Sequence, residues 1–112
     1  MMQPLPSSGT DMSIDLFCYT TLQPDELKTA LLRLEADRND LFSGKFLISG
    51  GRGTDSMHKE IALEHGLLAD SFFMVSLNEK SAANLVLEVV AQVKAFFGEG
   101  KAIILHNNET LM

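Results

Sequence analysis

Three glycines fall within four positions at Gly50, Gly51 and Gly53, directly after the run Phe46-Leu47-Ile48-Ser49 and directly before Thr54 and Asp55. Glycine accepts positive φ and lets a ligand approach the backbone, while a threonine or aspartate cap begins a helix whose first N–H groups attract an anion. Strand, glycine turn and helix in that order predict a loop for a phosphate-type ligand built from Gly50, Gly51, Arg52, Gly53, Thr54 and Asp55. Gly51 or Gly53 should tolerate substitution least, and Arg52 could fork onto a phosphate. The same residues also suit a plain strand-to-helix turn carrying a solubilising arginine.

Other reactive side chains form weaker patterns. His58, Glu60, Glu64 and His65 share one helical stretch, but the histidines stand seven apart, too far for chelation from adjacent turns. Cys18 and His106 end up near neighbouring strand ends and could form a thiol–imidazole pair, although a lone cysteine in an apolar strand also suits the core. No acid, base and nucleophile set emerges, so the expectation is a binding protein rather than an enzyme, with no cofactor named.

The elements that must position these groups follow from periodicity. Residues 1–11, rich in proline, serine and glycine, read as a disordered lead-in, and residues 12–112 as one domain. Ser13 to Thr20 alternates with period two and predicts a strand. Pro24, Asp25 and Glu26 suit a helix start, and Leu27, Leu31, Leu34 and Leu41 continue it to Phe42. Lys45 to Ser49 is a second strand, and Met57, Ile61, Ala62 and Leu68 mark a second helix, ended by Gly66. Ser71 to Leu77 and Lys101 to His106 are strands apolar on both faces. Between them Leu85, Val86, Val89, Val90, Val93, Phe96 and Phe97 make a helical stripe wide enough to be buried, ended by Gly98.

Four strands alternating with three helices predict a small single-sheet α/β domain, most simply a parallel, Rossmann-like sheet. The alternative is an α+β sandwich of the ferredoxin-like kind, with the second helix inserted in its middle connection. The stretch Ser49 to Asp55 resembles the PGGxGT loop of the lysine-decarboxylase-like and SLOG families, which implies a nucleotide phosphate or ribose held by the backbone of Gly50, Gly51 and Gly53 and by the Thr54 hydroxyl. Ser49 replaces the usual proline and no catalytic glutamate follows Thr54 directly, so that resemblance implies binding without hydrolysis.

Composition narrows the partners. The 112 residues are 46% hydrophobic with a formal charge of -6, a balance that repels nucleic-acid backbones and anionic membranes and favours basic proteins or small molecules. One cysteine allows no internal disulfide, and a cytoplasmic location is the default expectation. Two function classes remain: a domain holding a small phosphorylated molecule or nucleotide, and an acidic inhibitor that resembles, in size and charge, the immunity proteins that neutralise bacterial toxins.

Overall fold

The computed structural model describes residues 14–98 and 100–112; the lead-in assigned to residues 1–11 lies outside them. In chain order the elements are β1 (Asp15–Thr20), α1 (Pro24–Asp37), α2 (Asn39–Phe42), β2 (Phe46–Gly53), α3 (Ser56–Glu64), β3 (Ser71–Leu77), a 3-10 segment (Lys80–Leu85), α4 (Val86–Phe97), β4 (Ala102–His106) and β5 (Thr110–Leu111). They form a single mixed α and β domain, as the alternating periodicities predict. The strand order is β2-β3-β1-β4-β5.

The sheet is antiparallel throughout, and this corrects the parallel, Rossmann-like arrangement. β3 lies between β1 and β2 and pairs antiparallel with both, while β4 pairs antiparallel with the other edge of β1. Two strand–helix–strand crossovers, β1-α1-β2 and β3-α4-β4, each skip one position and interleave. That is the ferredoxin-like order, with α3 inserted in the middle connection. Apolarity on both faces of β1, β3 and β4 misleads here because it reports covered faces, not strand direction.

Two cores result. On one face Leu16, Cys18, Phe73, Val75 and Ile104 meet Leu27, Leu31 and Leu34 of α1, Leu41 and Phe42 of α2, and Val89, Val90 and Val93 of α4. On the other, Tyr19, Phe72 and Leu105 pack with Ala62 of α3 and with Leu67 and Ala69 behind it. The register between β1 and β3 is pinned by a buried hydroxyl pair, Thr20 Oγ1 to Ser71 Oγ at 2.7 Å, with Ser71 donating to the Leu22 carbonyl.

Local differences from the expected elements have local causes. The first helix breaks at Arg38, whose guanidinium binds both carboxylate oxygens of Asp40 at 3.0 Å and reaches Glu88 at 3.0 Å and Gln92 at 2.8 Å on α4. Arg38 is therefore a clamp between helices, and the carboxylates of Asp40 and Glu88 hold it above its ordinary pKa. The strand β5 returns through Asn107 and Asn108, both at positive φ, a conformation asparagine accepts more readily than most residues.

The burial pattern of α4 yields a stability test. Val89 is inaccessible and Leu87, on the opposite side, is 72% exposed. Val89→Asp strands a charge in the core and should cost at least about 3 kcal/mol, lowering Tm by more than about 10 °C. Leu87→Asp should leave Tm within a few degrees, read by thermal melting of both variants.

Candidate functional site

The stretch Gly50 to Asp55 is the bulged end of a strand and the start of a helix. β2 continues beyond Ser49 to Gly53, and its pairing with β3 shifts register between Gly50 and Arg52. The positive φ values belong to Gly50, at 93°, and Gly51, at 71°, and not to Gly53. A Cβ on Gly50 would meet the Phe73 Cα at 3.2 Å, and one on Gly51 would meet Leu31 Cδ1 at 3.2 Å. These glycines thus let a strand bulge over a neighbouring strand and a helix.

Thr54 and Asp55 are committed to internal bonds. Thr54 donates its N–H to the Asp70 carbonyl at 3.3 Å and its hydroxyl to the Ala69 carbonyl at 3.0 Å. Asp55 caps α3, its Oδ1 accepting the His58 N–H at 2.8 Å and facing His58 Nδ1 at 2.8 Å. These bonds hold the Asp55 carboxyl below its ordinary pKa, so an anion of the protein itself occupies the helix start, and the imidazole turns a protonated Nδ1 toward it. Arg52 lies over the Phe72 ring at 5.5 Å, and the His58 ring stacks on Phe72 with centroids 4.4 Å apart. Arg52 and Asp55 thus stand beside one aromatic stack that seats α3, a grouping found only when β3 is placed beside β2.

The other candidate groups separate. Cys18 pairs with Ile104 and His106 with Leu16, so register sets them apart; burial pushes the Cys18 thiol far above its ordinary pKa and leaves it a core residue. Tyr19 is raised to about 12 chiefly by burial, and donates its hydroxyl to Asn108 at 2.6 Å. His58, Glu60, Glu64 and His65 do not converge: no group of three or more such side chains able to hold a metal occurs among the described residues. A cleft of about 560 Å³ lies at the opposite edge of the sheet from β2, where Lys94, Gly98, Ala102, Ile103, Leu111 and Met112 line it. It contains no residue of the glycine stretch.

The class these features define is a small, acidic, split-crossover α+β protein with a capped insertion helix on its second sheet face. The chain belongs to the family described as CDI System Immunity Component, whose model matches residues 12–110. It is 45% identical over 98 residues to "Immunity protein CdiI-2" of Burkholderia pseudomallei (strain 1026b), an alignment covering 88% of this chain and 97% of that protein. One chain of a solved structure, the "CdiA-CT/CdiI toxin and immunity complex from Burkholderia pseudomallei", superposes with a TM-score of 0.83 at 43% identity, over 88% of this chain and 95% of that one.

These matches overturn the resemblance to the lysine-decarboxylase-like and SLOG families. The short likeness arises because a bulged strand end followed by an aspartate-capped helix uses the same residue types as a phosphate loop. The nucleotide reading built on that resemblance loses its support.

Two outcomes test this account of the stretch. Gly50→Ala forces a side chain to positive φ against the Phe73 backbone and should cost about 1–3 kcal/mol, whereas Gly53→Ala should stay within about 0.5 kcal/mol of the parent, both read from denaturant midpoints. The Asp55 cap should be acid-sensitive. Its contribution is complete above the ordinary aspartate pKa and is lost as the pH falls from there through the lowered folded value. Protection factors of the α3 amides, corrected for the intrinsic pH dependence of exchange, should therefore fall in acid in the parent and lose this dependence in Asp55→Asn.

Proposed function

We propose that this chain is an immunity protein that binds a CdiA-CT-type toxin domain and blocks it by occupying its surface in the cytoplasm. The observation that carries the reading is the alignment with an immunity protein over nearly that protein's whole length. The superposition on a chain of a toxin and immunity complex supports it. The acidic charge of -6 fits a partner with a basic surface, since opposite fields raise the encounter rate and like fields exclude wrong partners. In this reading Gly50, Gly51, Arg52, Gly53, Thr54 and Asp55 serve binding by fixing α3 in place, without holding a phosphate.

The test is co-expression with CdiA-CT domains, beginning with that of the B. pseudomallei complex, scored by growth and by co-elution of the two chains. Growth should be restored with at least one such domain, and that domain should co-elute with this chain. If no CdiA-CT domain of a broad panel is either neutralised by this chain or bound by it, the reading is refuted.

A further inference from the structure

The insertion helix α3 shows much of its surface to solvent. Ala62 is its buried residue, with Ile61 and His58 partly covered, while Met57 and Leu63 are each 59% exposed. Leu68, in the turn that follows, is 69% exposed. Three exposed large apolar side chains thus fall within twelve residues of one insertion. The others among the described residues, Leu32, Leu47, Leu87 and Leu111, occur singly on α1, β2, α4 and β5. Scattered single residues are ordinary on a protein surface, whereas apolar residues gathered on one element and rimmed by charge mark an interface.

The rim is predominantly acidic. Glu60 and Glu64 are exposed and stand four residues apart, one helical turn, on the outward side of α3 between Met57 and Leu63. Asp55 begins the helix and Asp70 follows it, and Lys59 is the single lysine or arginine in residues 55–70. The helix is also preorganised: the Asp55 cap and the His58 stack on Phe72 fix its start, and the hydrogen bonds of Thr54 tie β2 to the turn before β3. A rigid element loses little freedom when it docks.

We infer that the outward face of α3, centred on Met57, Glu60, Leu63 and Glu64 and extended by Leu68, is the surface that docks the toxin domain. The partner offers an apolar socket ringed by lysine or arginine side chains. This rests on the immunity reading above and adds to it the face and the chemistry of recognition.

The experiment measures binding of a CdiA-CT domain to the parent chain and to three variants by biolayer interferometry, at low and raised salt. The domain is that of the B. pseudomallei complex or, failing that, whichever of the panel the parent binds. Glu60→Lys combined with Glu64→Lys should slow association and weaken affinity at least tenfold, with much of the salt dependence gone. Leu63→Asp should weaken affinity at least tenfold, mainly by faster dissociation. Leu32→Asp, on α1, should bind within twofold of the parent. All the altered side chains are exposed, so each variant should keep the parent's melting temperature. If the parent binds while both α3 variants stay within twofold of it, the docking face is elsewhere and the inference fails. If the parent binds no CdiA-CT domain, the immunity reading falls, and the docking face falls with it.

Discussion

The position of β3 governs the rest of the molecule. It is hydrogen-bonded along both edges, to β1 on one side and β2 on the other, and so becomes a central strand although it is third in sequence. Because successive side chains alternate between faces, a slip of one residue would carry Phe73 and Val75 out of the core below α1 and α4 and put Phe72 in their place. The Thr20–Ser71 hydroxyl pair opposes such a slip, since buried hydroxyls without a partner cost of order 1–3 kcal/mol. The chain also passes from the edge strand β2 to its neighbour β3 between Gly53 and Ser71, and α3 is built from that connection.

Local order was legible in the sequence and spatial order was not. The strands at Asp15–Thr20, Ser71–Leu77 and Ala102–His106 and the buried stripe of α4 lie close to where periodicity puts them, because each depends on neighbouring residues alone. The direction of the sheet depends on which strands become neighbours, and no period carries that information. β1, β3 and β4 are apolar on both faces because α1 and α4 cover one side and α3 the other. This two-sided cover imitates the pattern of a parallel sheet. The glycine stretch misled for a related reason: Gly50 and Gly51 answer to Phe73 and Leu31, residues distant in sequence that only the fold brings near. The Arg38 clamp was hidden similarly, since Glu88 and Gln92 lie about fifty residues away.

The charge balance describes a protein organised for selective association. An excess of carboxylates spread over the surface adds repulsion within the folded chain while it keeps separate copies apart. Exposed ion pairs are worth little in water, so most of the surface carboxylates do more for solubility and steering than for stability. The Arg38 cluster is arranged differently, with one guanidinium bridging two helices through three side chains, which couples the end of α1 to α4 across the first core.

The bulge in β2 also bears on polymerisation. β2 is an edge strand, and an edge offers unpaired N–H and C=O groups to any extended chain that meets it. Here the strand departs from regular geometry after Gly50, with two consecutive residues at positive φ before Arg52. A second copy approaching this edge finds a regular template only from Phe46 to Ser49, too short to seed a growing fibril. The kink that seats a helix thereby also interrupts strand-to-strand growth along this edge.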